Sequence, residues 1–252
     1  IDKINCVRKH ISSIKGGRLA AAAQPARVVS LMISDVPNDD PSVIASGPTV
    51  ADRTTSADAI AVLESFELET PPSILTLLGA TIGETPKPDD AAFANVRNIV
   101  IATPGDMLGA VAIRAELIGM RVVSLGADLE GEARELGLRH AELARRLKRD
   151  RQDDKPIVIL SGGETTVTVR GNGRGGRNAE YALGLAAGLA GQSEVYALAC
   201  DTDGIDGVED NAGVFVTPDT LARASAVGFN VKDVLDRNDA YGLFAALDDL
   251  VI

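Results

Sequence analysis

The sequence is poor in aromatic side chains: 3 %, with no Trp, three Tyr and five Phe in 252 residues. Its core must therefore be aliphatic, and stacking platforms for single-stranded nucleic acid are scarce. Basic side chains are in deficit too, 25 Lys and Arg against 36 Asp and Glu, a formal charge of −11. Such a chain repels a phosphate backbone unless it hides a basic patch, and none is visible, so nucleic acid is excluded as a first partner class. Two cysteines, Cys6 and Cys200, lie far apart without metal-type spacing. That usage rules out a disulfide scaffold and fits a reducing, cytoplasmic compartment. No apolar run approaches the ~20 residues that span a bilayer; the longest, Ala182–Ala190, is short and broken by glycines. The opening IDKINCVRKH mixes charged with apolar residues, lacks an initiator Met and does not read as a signal peptide.

Apolar residues still make up 45 %, enough to build a core. Ile4, Val7, Ile11 and Ile14 recur at helical spacing, and Gly16-Gly17 is a natural stop. The run Val28–Ile33 reads as a strand and leads into a polar loop, Ser34–Pro41; Ser56 reads as the cap of a helix ending near Phe66. Strands at 98–102 and 121–125 alternate with helices at 106–120 (Leu108, Val111, Ala115 and Ile118 inward) and 130–148. Strands at 157–160, 165–170 and 195–200 and a helix at 178–189 follow. The tail adds a strand at 213–216, a helix opened by Thr217-Pro218-Asp219, a helix at 240–247 and the start of a strand at the end. Alternation of this kind predicts an α/β fold with mostly parallel sheets, whose ligands gather at the carboxyl ends of strands. The charged stretch 148–156 is the expected boundary, giving domains 1–150 and 151–252.

Three clusters carry the chemistry. Ser161-Gly162-Gly163-Glu164-Thr165-Thr166 runs off a strand end, and Gly171-Asn172-Gly173-Arg174-Gly175-Gly176-Arg177-Asn178 opens a helix. Glycines let backbone N–H groups approach an anion, the helix start adds partial positive charge, and two arginines supply planar forks for phosphate or carboxylate. Gly171-x-Gly173-x-x-Gly176 formally matches a dinucleotide fingerprint, but its preceding strand is expected in a hairpin and no acidic residue closes a second strand ~20 residues on. Asp201-Thr202-Asp203-Gly204-Ile205-Asp206-Gly207 places three carboxylates within six residues, a pattern suited to Mg²⁺ on nucleotide phosphates or to a plain acidic loop. Asp35, at a strand end, suits a general base or simple turn chemistry, and Ser46 in Ser46-Gly47-Pro48-Thr49 shares that ambiguity. His10 and His140 lack triad partners and read as structural.

Those clusters, together with Val7-Arg8-Lys9-His10, Lys15-Gly16-Gly17-Arg18-Leu19, Ser34-Asp35-Val36 and Ala45-Ser46-Gly47-Pro48-Thr49, resemble the type 2 glycerate kinases with their MOFRL domain. The likeness runs over nearly the whole chain. It implies an incomplete Rossmann-like αβα domain followed by a MOFRL-type α/β domain, with a site in the cleft between two such domains. It further implies ATP-dependent phosphorylation of D-glycerate to 2-phosphoglycerate, with ATP and Mg²⁺ as cofactors and glycerate and nucleotide as the only partners; a homodimer is consistent with it. The family's upstream lysine segment and Gly-Gly-Gly-Ser loop, and its downstream Asn-Val-Asn-Asp stretch, are absent, so a fragment is expected. On the resemblance Asp35, Arg177 and Glu164 are the expected catalytic residues, and Asp201 and Asp203 the metal ligands. Ser46, Ser161, Gly162, Gly163, Asn172, Gly173, Arg174, Gly175, Gly176 and Asn178 would bind substrate or nucleotide. Hydroxypyruvate reductase acting with NAD(P)H, and a non-catalytic anion-binding fragment, remain the alternatives.

Overall fold

The computed structural model describes residues 2–252. The chain falls into two compact units that divide between Met107 and Leu108. The first contains α1 (Asp2–Ile11), α2 (Arg18–Ala22), β1 (Val28–Ile33), α3 (Ser56–Ser65), α4 (Pro72–Gly79) and β2 (Val96–Ala102). β1 and β2 pair in parallel, Val28 opposite Val96 through Met32 opposite Val100, with a register shift before Ile33. α1 ends at Ile11, short of the expected stop, so Ile14 lies outside the helix; Gly16 and Gly17, both at positive φ (60° and 83°), instead form the turn that leads into α2. The cap of α3 is one residue earlier than expected. Thr55 accepts from the Asp58 N–H while Asp58 accepts from the Thr55 N–H, a reciprocal capping box. Cys6, Ala59 and Leu78 form the small core of α1, α3 and α4.

That core is braced by polar groups. Lys9 Nζ donates to Asp52 Oδ1 at 3.2 Å, and Asp52, 1 % exposed, also accepts from the Thr54 and Thr85 hydroxyls. His10, equally buried, meets the Cys6 carbonyl at 2.8 Å and has the structural role expected of it.

The second unit starts inside α5 (Pro104–Leu117), then runs β3 (Arg121–Ser124), β4 (Leu129–Glu132), α6 (Ala133–Arg149), β5 (Ile157–Leu160), β6 (Gly163–Thr166), α7 (Arg177–Leu189), β7 (Ala197–Cys200), β8 (Gly213–Val216), α8 (Thr220–Ala226), α9 (Val231–Arg237), α10 (Ala240–Ala246) and β9 (Leu250–Val251). β3 pairs in parallel with β5, and β4 with β6, Leu129 opposite Gly163 through Glu132 opposite Thr166. β7, β8 and β9 form an antiparallel sheet. The fold is α/β, as expected.

α7 is the axis of this unit. Ala179, Ala182, Leu183, Ala186 and Leu189 are buried against Val214, Val216, Leu243 and Phe244. α6 lies along α7 at a distance only small residues permit. A Cβ on Gly137 would fall on the Tyr181 carbonyl, and one on Gly184 on the Arg134 carbonyl.

Several expectations are corrected. Residues 130–132, expected to open the long helix, belong to the strand β4 and pair with β6. The strand expected at 165–170 is β6 and ends at Thr166; β5 and β6 do not form a hairpin, each pairing in parallel with another strand. Of the expected inward residues, Leu108 and Ala115 are buried, whereas Val111 on α5 and Ile118 just beyond it are exposed. α9 was not expected at all; it is a short helix capped by Asn230, which accepts from Lys232 and Asp233 N–H groups. The charged stretch 148–156 closes α6 and leads into β5. α6, before it, packs along α7, after it.

The buried Lys9–Asp52 pair and the exposed Arg149–Asp150 pair (side chains 72 % and 60 % exposed) provide an internal contrast. Asp52→Ala strands a buried ammonium and should cost about 3–5 kcal/mol in urea denaturation. Asp150→Ala should cost less than about 1 kcal/mol. Equal effects would show that the Lys9 environment is not closed to water.

Candidate functional site

The site grows from the carboxyl ends of β5 and β7 and the first turn of α7. β5 ends at Leu160, and the turn after it is locked to the loop before β4: the Gly162 N–H donates to the Gly126 carbonyl at 2.9 Å, and the Leu129 N–H to the Gly162 carbonyl at 3.0 Å. Gly163 has φ 146°, and a Cβ there would fall on the Leu129 carbonyl. The close passage of β4 therefore requires this glycine. Ser161, half-buried on the same turn, neighbours the Tyr181 phenol, which meets His140 Nδ1 at 2.9 Å. Burial pushes the Tyr181 phenol up to about 12, the Ser161 contact pulling the other way; burial and neighbouring Arg139 pull His140 down. Phenol and imidazole are both uncharged at neutral pH, as suits a buried pair.

The glycine-rich loop is used differently from the expectation. At the start of α7 the Asn178 and Ala179 N–H groups donate to the two oxygens of Asp206, both at 2.9 Å. Asp206 is fully buried. The positive end of α7 is thus already occupied by the protein's own carboxylate. Gly176 packs so closely on Asp206 that a Cβ would overlap its carboxylate. Further back, the Gly171, Gly173 and Arg174 N–H groups go to Asn238 Oδ1, the Arg237 carbonyl and Asp239 Oδ1. Those amides hold the loop in place instead of cradling phosphate. Arg174 pairs with Glu209 and lies 4.3 Å over the Tyr241 ring. Asn172, Gly173, Arg174 and Gly175 are exposed.

Arg177 is where the clusters meet. Its guanidinium reaches Glu164 of β6 at 2.5 Å and Asp201, after β7, at 3.0 Å. Asn178 Nδ2 adds contacts to Asp201 at 3.5 Å and Asp206 at 3.2 Å. Burial works against the Arg177 cation, but Asp201 and Glu164 outweigh it and hold its pKa above the ordinary value. The arginine-bearing bend, the Ser-Gly-Gly-Glu turn and the aspartate loop therefore converge within one unit. Asp203 is set apart: it is exposed and accepts from the Ile205 N–H at 2.9 Å. Among the described residues no group of three or more His, Cys, Asp or Glu is placed to hold a metal ion. Asp201 spends one oxygen on Arg177 and the other on the Thr202 N–H, so the donor set does not fit a resident cation.

Asp35 and Ser46 belong to the first unit. Asp35 is exposed just beyond β1. Ser46 is buried and gives its hydroxyl to Asn5 Oδ1 at 2.9 Å, so it fastens its loop to α1. Sequence reasoning assigned no separate role to Asp206, Tyr181, Asn238 or Asp239. For Asp206 the signal was present in the aspartate triplet, but spacing does not say which of three carboxylates turns inward.

Two glycine substitutions should separate these roles. Gly176→Ala displaces Asp206 and should cost about 2–4 kcal/mol, the sum of overpacking and a lost cap. Gly109→Ala, in the open middle of α5 with nothing within 4 Å of the new Cβ, should gain about 0.5–1 kcal/mol. Thermal unfolding of the two variants checks both signs.

Comparison with known proteins places this geometry. Residues 157–252 match the MOFRL family, and residues 1–79 match a domain of unknown function, DUF4147. The whole chain is 48 % identical to a protein of Agrobacterium vitis named as a hydroxypyruvate reductase, covering 57 % of that protein. It is 39 % identical to the D-glycerate 2-kinase of Thermotoga maritima, again over the whole chain and 59 % of the relative. Glycerate kinase of Macaca fascicularis is 33 % identical over 98 % of the chain and 73 % of its own length. The crystal structure of Thermotoga maritima glycerate kinase superposes on the whole chain with a TM-score of 0.82 at 37 % identity, covering 59 % of that structure. The chain thus spans between half and three quarters of the length of these relatives. Identity of this extent, carried over the full chain and matched in three dimensions, makes the chain a member of the glycerate kinase family that bears the MOFRL domain.

Proposed function

We propose that this protein acts in ATP-dependent phosphorylation of D-glycerate at its 2-hydroxyl, giving 2-phosphoglycerate and ADP. The observation that carries the reading is Arg177, held between Glu164 and Asp201 where strand ends and a helix start converge. Phosphoryl transfer asks for positioning and charge neutralisation more than for covalent chemistry, and a rigidly held guanidinium supplies both. In this reading the glycerate hydroxyl oxygen attacks the γ-phosphorus and the bond to the β-phosphate oxygen breaks. The hydroxyl proton passes to a carboxylate, for which Asp35 is proposed. Arg177 neutralises the transferred phosphoryl group, and Glu164 positions Arg177.

Ser161, Gly162 and Gly163 would face substrate from the β5 turn. The exposed stretch Asn172–Gly175 is the part of the glycine-rich loop open to a ligand. Two carboxylates flanking one guanidinium leave little attraction for a bare anion. They favour a nucleotide that shares its charge with Mg²⁺, with exposed Asp203 toward that cation. This favours a cation that arrives with the nucleotide over a resident one. A cytoplasmic location, a homodimer and the family division at 150/151 belong to the same proposal. Among the described residues no helix is long and apolar enough to cross a membrane.

The reductase name of the Agrobacterium vitis relative marks the second reading. Against it, the segment before Gly171 is not a strand, and Asp206 fills the helix start where a pyrophosphate would lie. A coupled ADP-release assay run beside a nicotinamide absorbance assay decides between them. ATP should be consumed only when D-glycerate is present, and Arg177→Ala should lower turnover by ~10³-fold or more. Oxidation of NADH or NADPH with hydroxypyruvate, or an active Arg177→Ala variant, would overturn the reading.

A further inference from the structure

We infer that Asn238 and Asp239, at the junction of α9 and α10, are positioning residues on which the glycine-rich loop is set. Beyond Thr166 the chain leaves its sheet, and its backbone finds partners elsewhere. Asn238 Oδ1 accepts from the Arg170 N–H at 2.7 Å and the Gly171 N–H at 3.1 Å, while Asn238 Nδ2 donates to the Thr168 carbonyl at 3.3 Å. Then the Gly173 N–H reaches the Arg237 carbonyl at 2.9 Å, the Arg174 N–H reaches Asp239 Oδ1 at 3.2 Å, and the Tyr241 N–H donates to the Arg174 carbonyl at 2.9 Å. Residues 168–174 therefore run along 237–241 as if along a neighbouring strand, with side chains supplying four of these six hydrogen bonds.

The contact is close enough to dictate residue type. A Cβ on Gly171 would come within 2.5 Å of Arg237 Cα, and one on Gly173 within 2.5 Å of Asp239 Cβ. These two glycines are accounted for by the template, not by a ligand.

Asn238 meets two demands at once. It sits at the end of α9 with φ 55°, a left-handed conformation that Asn tolerates better than most side chains. Its amide is used on both sides: Oδ1 accepts from two N–H groups, and Nδ2 donates to the Thr168 carbonyl with Glu180 nearby. Glu180 is itself buried and forms an ion pair with Arg134 at 2.5 Å. Glycine could adopt the backbone but lacks the amide. Aspartate would turn an acceptor toward both the Thr168 carbonyl and the Glu180 carboxylate. With Asn238 and Asp239 holding its start and Asp206 its end, the open stretch 172–175 is presented in one arrangement. The consequence for turnover rests on the kinase reading; the template itself does not.

The test compares Asn238→Gly with the unmodified protein, using Ala190→Gly, at another left-handed residue (φ 51°), as the control. Residue-resolved amide exchange should show Arg170 and Gly171 exchanging at least ~10-fold faster in Asn238→Gly, with Leu183 in the middle of α7 unchanged. In the coupled assay the KM for D-glycerate or for ATP should rise ~10-fold with kcat within ~3-fold, the pattern of lost uniform binding. Ala190→Gly should change neither readout. Unchanged exchange at Arg170 and Gly171, or equal acceleration at Leu183, overturns the template. Local acceleration with both KM values unchanged overturns its positioning role. If the unmodified protein turns over no D-glycerate, the kinase reading fails while the exchange result still decides the template. Should Asn238→Gly fail to fold, Asp239→Ala read at the Arg174 amide answers the same question, with faster exchange there expected and none contradicting it.

Discussion

A single buried carboxylate ties the candidate site together. Asp206 lies on the first turn of α7, where two backbone N–H groups and the helix dipole compensate its charge. Because it is anchored there, the loop that carries it is drawn against the helix, and Asp201 at the other end of the loop falls beside Arg177. The loop is closed on itself by the Asp206 N–H donating to the Asn211 carbonyl at 2.7 Å. Gly176 has to lack a side chain for this contact to exist. One ionic cap therefore decides which groups face the site and which glycine is obligatory.

The cap is effective because α7 is closely packed. Small residues let α6 approach it, and the antiparallel sheet and the last helices bury its remaining faces. Positional accuracy at Arg177 is thus inherited from a rigid helix, while its partners come from strand ends. That is the usual division in α/β proteins, where scaffold elements hold and strand-end loops act. The charge balance at Arg177 also limits its chemistry. A guanidinium shared by Glu164 and Asp201 has most of its charge met within the protein.

The α/β class, the alternation of elements and the convergence of three clusters were legible in the sequence. Glycine pairs, a strand-end serine and closely spaced aspartates mark loops that have to bend sharply. What could not be read was the use of each group. The amides of Gly171, Gly173 and Arg174 look free in a sequence, yet their partners lie more than sixty residues on, in a junction beside the short helix α9. The strand at 129–132 was hidden because Leu129-Glu130-Gly131-Glu132 has the composition of a helix start, and only pairing with β6 reveals it. Likewise, Val111 and Ile118 share the apolar character of Leu108 and Ala115, and spacing alone did not separate the exposed from the buried.

The most direct test of this account is the unfolding free energy of Asp206→Ala measured beside Asp203→Ala, two neighbouring aspartates of one loop. If Asp206 is the clamp, its loss leaves the Asn178 and Ala179 N–H groups without an acceptor and costs about 2–4 kcal/mol, whereas loss of the exposed Asp203 costs less than about 1 kcal/mol. Equal and small effects would contradict the account, because the acidic loop would then rest on α7 without being held by it.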